Sequence, residues 1–206
     1  MFKNLDNCDR QAVEMIKRMA IIAEYRDEGI REHLERIRGF TFILAINRGM
    51  STAEAEIIAN AAMLHDIGKV GLPEELQFTP ARLSPADQEV LKKHVNYGVE
   101  LLHGTSSRFL QAAEIIVTTH HERWDGSGYP QGLGGETIPL SGRIVAVADV
   151  FDALTTKRAY KPNIPVESAL KLVRDSSGTL FDPGVVKAFS DHFDDILRIH
   201  QAYHSD

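Results

Sequence analysis

Two adjacent histidines, His120 and His121, run directly into a glycine-containing loop in the stretch "HHERWDGSGYP" (residues 120–130). Neutral imidazole is the commonest protein metal ligand and a proton carrier near neutral pH. Neighbouring residues on a helix point about 100° apart, so both rings can serve one site only where a helix ends or the site is wide. A predicted helix ends here, at residue 121. In the loop, Gly126 and Gly128 allow backbone turns that other residues resist, and Pro130 restricts Tyr129 to extended backbone. "HDIGK" (65–69) closes an apolar helix with His65 and Asp66, a pair that is costly to bury unless it is paired. By itself an HD pair also fits a polar helix terminus. His94, in "KKHVNYG", taken alone fits a structural or solvated histidine. Asp149 interrupts the apolar run "RIVAVADVF", where a carboxylate needs a cation or a hydrogen-bond hub, and Asp152 follows three residues later on the same helical face.

Together these groups bring imidazoles and carboxylates from at least four predicted helices. Such donors suit Fe, Mn, Zn, Ni or Co, and the chain has only Cys8 to offer as a soft thiolate. A carboxylate such as Asp66 can bridge two ions. Two ions about 3.5–4 Å apart can hold a hydroxide and stabilise in-line displacement at phosphorus. Of the remaining histidines, His103 lies near the predicted helices, while His192, His200 and His204 fall in a charged C-terminal segment and are read as solvated.

The elements that must position these groups read as helices. Residues 51–64 open with Ser51 and Glu54 in capping-box spacing. Residues 84–102 start with Ser84 as N-cap and Pro85 at the first helical position, and 182–200 repeat the device with Asp182 and Pro183. Helices are also predicted over 9–26, 29–47, 106–121, 141–155 and 165–175. "RIVAVADVF" reads equally as a strand or a core helix. Residues 67–83 and 122–140 read as irregular, each directly after a histidine motif. The fold class is all-α: a single-domain helical bundle, with residues 1–26 a leading helix, 27–190 the working domain, and 191–206 the end of the last helix and a tail.

Composition narrows the partners. The 206 residues are 43% hydrophobic and 25% charged, ordinary for one globular domain. A net charge of −6 argues against DNA or RNA binding through a basic surface, so attraction of an anionic ligand must be local, from Lys69, Arg143, Arg158 and Lys161, with Arg143 equally placed to pair with an acidic neighbour. No apolar run approaches the roughly 18–20 residues of a membrane span. One cysteine excludes an intrachain disulfide and fits a reducing, cytoplasmic compartment.

The order of motifs resembles the HD-GYP family, a branch of the HD-domain metal-dependent phosphohydrolases. The resemblance covers about residues 24–190, through "HLER" (33–36), "HDIGK", "KKHVNYG", "HHERWDGSGYP", "ADVFDALTTKRAYK" (148–161) and "LFDPGVVKAF" (180–189). It implies a helical bundle around a metal centre, with His33, His65, Asp66, His94, His120, His121 and Asp149 as ligands. It implies a cyclic dinucleotide substrate, usually cyclic di-GMP, opened to linear pGpG and in some members cut to GMP. Asp66 and Lys69 would be catalytic; Lys69, Tyr129, Asp152, Arg158 and Lys161 would contact substrate. The cofactor would be two divalent transition-metal ions, Fe or Mn first, with Ni, Co or Zn as alternatives.

One position departs from the pattern. Members with a third metal carry Glu four residues before the first motif histidine; here that position is Gly29. On a helix it would lie about 40° from His33, so its lack of a side chain points to two metals and to accumulation of pGpG. Two rival readings stand beside the enzyme: a domain that binds cyclic di-GMP or a partner protein without turnover, and a phosphohydrolase for another cyclic dinucleotide such as cyclic GMP-AMP. A homodimer or a regulatory partner protein is left open.

Overall fold

The computed structural model describes residues 7–25, 29–77, 84–156 and 163–203. Its helices are α1 (Asn7–Ala23), α2 (Ile30–Asn47), α3 (Thr52–Ala62), α4 (Glu74–Gln77), α5 (Pro85–Lys92), α6 (His94–Leu102), α7 (Arg108–Thr119), α8 (Leu140–Thr155), α9 (Val166–Asp175), α10 (Pro183–Asp191) and α11 (Phe193–Ala202), with 3-10 turns at Ile67–Gly71 and Gly135–Thr137. Among the described residues there is no strand, only an isolated bridge between Ser177 and Phe181. The all-α expectation holds.

Local signals set several boundaries. Ser51 and Ser84 each cap their helix in a reciprocal capping box, with Glu54 and Asp87 respectively, and Asp182 accepts from the Gly184 amide ahead of α10. "RIVAVADVF" is helix, because α8 is enclosed on nearly every side. Ile144, Val145, Val147, Ala148 and Phe151 are all fully buried, and α2, α7, α9 and α10 pack around them. Two predicted helices are each broken in two. The 84–102 segment is interrupted at Lys93, which keeps helical dihedrals, and the 182–200 segment at His192, whose φ of −113° and ψ of 25° leave the helical basin.

The core runs through α2 (Leu34, Ile37, Phe40, Leu44), α3 and α7, and closes in an aromatic cluster of Phe40, Phe151, Phe189 and Phe193. The leading helix α1 contributes Ile16, Ala20, Ile21 and Ala23 to the same core. His200 corrects an expectation: it is only 4% exposed and lies 6.0 Å from the Phe151 ring, because it shares the inward face of α11 with Ile196. His103 stays on the surface with Glu114, and His204 lies outside the described residues.

Candidate metal centre and substrate face

The C-terminal ends of α3, α5 and α7 converge, and each delivers a histidine. A helix leaves its last carbonyls without amide partners, and these histidines use them. His65 Nδ1 donates to Ala62 O at 2.9 Å, His94 Nδ1 to Leu91 O at 2.7 Å, and His120 Nδ1 to Ile116 O and Val117 O at 3.0 and 3.1 Å. A carbonyl only accepts, so in each neutral ring the proton sits on Nδ1 and Nε2 is left as a lone-pair donor. His33, on α2, donates Nδ1–H to Asp152 Oδ2 at 2.7 Å with the same result.

The freed nitrogens face one another. His65 Nε2, His94 Nε2, His120 Nε2 and Asp66 Oδ1 are buried with no hydrogen-bond partner among the described residues. Burying such atoms unsatisfied is costly, and a shared cation satisfies them all. Two groups form. Asp66, His94, His120 and His121 bring ligand atoms within 4.8 Å of one another, and His33, His65 and Asp149 do the same. Asp66 joins them: its Oδ1 lies 3.4 Å from His94 Nε2 and 3.8 Å from His120 Nε2, while its Oδ2 lies 3.2 Å from His65 Nε2. His65 Nε2 is 3.7 Å from Asp149 Oδ1. All seven residues singled out as ligands therefore meet at one place, and their donor set of imidazole and carboxylate fits divalent transition metals. His120 and His121 do so at a helix end, with ring centroids 3.9 Å apart.

Charge is distributed unevenly over the cluster. Burial alone would push His65 down, but Asp66, Asp149 and Glu24 outweigh it and raise its pKa to about 9. Burial works against the Asp66 carboxylate, yet Lys69, His65 and His94 hold it well below the usual range. Burial and the neighbouring His65 lower His120 to about 4, and burial with His120 pushes His121 down as well. The partly buried ammonium of Lys69 stays charged because Asp66 and Glu24 flank it, each at 2.7 Å.

Gly68 makes the meeting of HDIGK with α6 feasible. A Cβ there would lie 1.9 Å from the His94 carbonyl and 2.4 Å from the Gly98 amide, so only glycine lets the turn touch the α6 backbone. Gly128 does the same for the loop, its Cα lying against the backbone of His121, Glu122 and Arg123. The buried Glu122 carboxylate accepts from the amides of Gln131 and Leu133 at 2.8 and 3.0 Å and so ties the loop to the helix end. Tyr129 stacks on His121 with centroids 4.7 Å apart, and Lys92 stands over its ring at 5.3 Å. Burial, with Asp66 and Asp149 nearby, keeps the phenol protonated.

Some expectations change. Asp152 does not face substrate: it is fully buried, with Arg36 and His33 on its two oxygens, and these hold it ionised against the cost of burial. The cause is rotation, since three residues along α8 turn it about 60° from Asp149, towards α2. Of the two readings of Arg143, the structure shows the acidic pair: it donates to Asp182 at 2.5 Å and to Ile138 O. Gly29 is the N-cap of α2 at φ 84°, outside the helix, so the helical-wheel angle to His33 does not apply. Arg158 and Lys161 lie outside the described residues. Sequence reasoning missed Glu24, Arg36 and Glu122; Arg36 carried a signal, being three residues from His33 and hence on the same face of α2.

An HD domain family model matches residues 10–185. The chain is 43% identical over 188 residues to the cyclic di-GMP phosphodiesterase response regulator RpfG of Xanthomonas campestris pv. campestris, covering 91% of this chain and 50% of that protein. It is 40% identical over 186 residues to the 3'3'-cGAMP-specific phosphodiesterase 2 of Vibrio cholerae, covering 90% and 36%. The chain thus spans half or less of the length of these relatives. Among solved structures, Bd1817, a HDG"Y"P protein from Bdellovibrio bacteriovorus, superposes with a TM-score of 0.63 at 23% identity, covering 80% of this chain and 52% of that one, a likeness of fold. The matched span includes His65 and Asp66, which share their cluster with five further ligand-type side chains, and the chain belongs to the HD-domain family.

Proposed function

We propose that the chain is a phosphodiesterase that opens cyclic di-GMP to linear pGpG at a two-metal centre. One observation carries this: two ligand groups joined by the Asp66 carboxylate lie directly beneath the Tyr129 loop. The names of relatives at 40–43% identity support the substrate class.

His33, His65 and Asp149 would hold one ion, His94, His120 and His121 the other, with Asp66 bridging. Bound there, two divalent cations would supply Lewis-acid activation of water and neutralise charge at phosphorus. Fe or Mn is the first choice for these donors, with Ni, Co or Zn as alternatives. Lys69 places a fixed positive charge beside the shared carboxylate, where it can meet a phosphate oxygen. Tyr129 forms a wall against which a base or ribose can lie. Arg158 and Lys161 would grip the phosphates, Arg158 through its planar fork. A count of two rests on the two ligand groups, and pGpG is expected to accumulate. The assignment carries a cytoplasmic location, in keeping with the single cysteine, and regulation through a second copy or a partner protein.

The test is product chromatography on cyclic di-GMP and 3'3'-cGAMP, using protein loaded anaerobically with Fe or with Mn and assayed for metal on the same sample. Expected are about two metal equivalents and pGpG as the persistent product. No turnover of any cyclic dinucleotide at full loading would leave a binding module; three equivalents with direct conversion to GMP would refute the two-metal count. A second reading, preference for 3'3'-cGAMP, is favoured by the relative of that specificity.

A further inference from the structure

His33 differs from the other ligand-type histidines described above in what holds its outer nitrogen. His65, His94 and His120 give Nδ1–H to main-chain carbonyls; His33 gives it to a side chain, Asp152 Oδ2, at 2.7 Å. Asp152 is in turn gripped by Arg36, whose Nε donates to Oδ1 at 2.5 Å and whose Nη2 donates to Oδ2 at 3.1 Å. The other bonds of the guanidinium go to the Thr156 hydroxyl at 3.0 Å and to the carbonyl of Tyr203, the C-cap of α11, at 2.6 Å. Arg36 is 1% exposed and Asp152 0%. Helices α2, α8 and α11 therefore meet in one buried ion pair whose free oxygen lone pairs are aimed at a candidate metal ligand.

We infer that Asp152, clamped by Arg36, is a positioning residue that fixes the His33 proton on Nδ1 and so reserves Nε2 as the ligand atom of the His33, His65 and Asp149 half of the centre. The inference deepens the two-metal reading and rests on it for its consequence. The chemistry is directional. Guanidinium has donors and no acceptor, and an ionised carboxylate has acceptors and no donor. The chain Arg36, Asp152, His33 therefore has one consistent polarity, and it ends with a lone pair on Nε2. Such partners beyond the ligands fix tautomer and ring orientation in metal sites.

Asp152→Asn reverses the polarity at nearly constant shape. Arg36 reaches both oxygens, but its nearer donor, Nε, is on Oδ1 and Nη2 also has the Thr156 hydroxyl, so the amide oxygen is expected at the Oδ1 position and the amide NH₂ facing His33. His33 Nδ1 then has to accept, its proton moves to Nε2, and an N–H points into the ligand group. Only one half of the centre is affected, because His94 and His120 take their orientation from the backbone.

The test combines metal titration with long-range 1H–15N spectra of the imidazoles, recorded on metal-free protein at a pH where His33 is neutral. In Asp152→Asn, one metal is expected to bind as in the wild type and the other 10–100-fold more weakly, with the His33 proton moved from Nδ1 to Nε2. Arg36→Lys keeps the charge but loses the fork. It should keep the Nδ1 proton and weaken the same metal by less than tenfold. Asp152→Asn with its proton still on Nδ1 and both metals held at wild-type affinity overturns the inference. So does Arg36→Lys with lower thermal stability and unaltered affinity for both ions, which serves as the deciding variant if Asp152→Asn does not fold. The spectra need no metal, so wild-type protein that binds fewer than two ions would sink the two-metal reading while the position of the proton still decides the role of Asp152.

Discussion

Gly68→Ala tests whether the approach of the HDIGK turn to α6 sets the geometry of the centre. The new Cβ would lie 1.9 Å from the His94 carbonyl oxygen and 2.4 Å from the Gly98 nitrogen. Non-bonded carbon contacts are comfortable near 3.5 Å, so the two segments must part by roughly 1.5 Å. Both obstructing atoms are backbone in one helix, and no rotamer relieves them. Overpacking of this kind costs about 1–3 kcal/mol and more where nothing can yield; the upper end is expected. The displacement falls between Asp66, two residues before Gly68, and His94, whose Nε2 is now 3.4 Å from Asp66 Oδ1. Site geometry tolerates about 0.5 Å, and misplacement by 1 Å can cost about 100-fold in rate. Thermal unfolding, metal content and turnover should be read on one preparation. Expected are a lower Tm, loss of about one metal equivalent and turnover down at least 100-fold. Gly71→Ala in the same turn is the control, because the nearest atoms to its Cβ are side-chain atoms of Tyr97, at 2.7 and 2.9 Å to a ring that can swing aside and 3.3 Å to its Cβ, and not backbone. Gly68→Ala with full metal content and a rate within threefold of wild type would refute the reasoning.

Three further outcomes are expected. Asp66→Ala removes the bridge between the ligand groups and should abolish metal retention and turnover together, read by metal analysis and product formation; wild-type rate at full metal content would end that role for Asp66. Glu122→Gln replaces one of two charge-assisted acceptors by a donor facing the Leu133 amide, a loss of about 1.5–3 kcal/mol in loop closure, so KM should rise at least tenfold with metal content unchanged, as steady-state kinetics would check. Finally, His65 in the metal-free fold has its pKa raised to about 9 from 6.5, so its contribution of roughly 3 kcal/mol is fully present below pH 6.5 and is lost as pH rises through 9. The ligating ring must be neutral, so metal uptake at pH 7.5 should expel about one proton from His65; calorimetric heats that do not depend on buffer ionisation enthalpy would contradict this.

Five of the seven expected ligands were legible as anomalies, histidines or carboxylates set in apolar helical surroundings at "HDIGK", "HHE" and "VAVADVF", whereas His33 and His94 were expected only through the family resemblance. The supporting residues were less so. "HLERIRGF" carries three charges besides His33, and the sequence does not say that Arg36 turns inward while Glu35 pairs with Lys17 near the surface. Asp152 was legible as an unusual carboxylate but its role was not, because helical spacing ranks residues by face and does not say which neighbour each face meets. Glu24 lies 45 residues from Lys69, and no local pattern links them. The helix breaks at Lys93 and His192 have no proline or glycine to announce them.

The use of helix-end carbonyls has a consequence for how this centre can change over generations. Backbone carbonyls are present whatever side chain they carry, so single substitutions leave the orientation of His65, His94 and His120 in place as long as the helices hold. His33 alone of these four depends on a mutable partner. Substitution drift that spares the ligands themselves therefore acts unequally on the two halves. The ligand group containing His33 is the one whose geometry can be tuned by a substitution outside the ligands without disturbing the other.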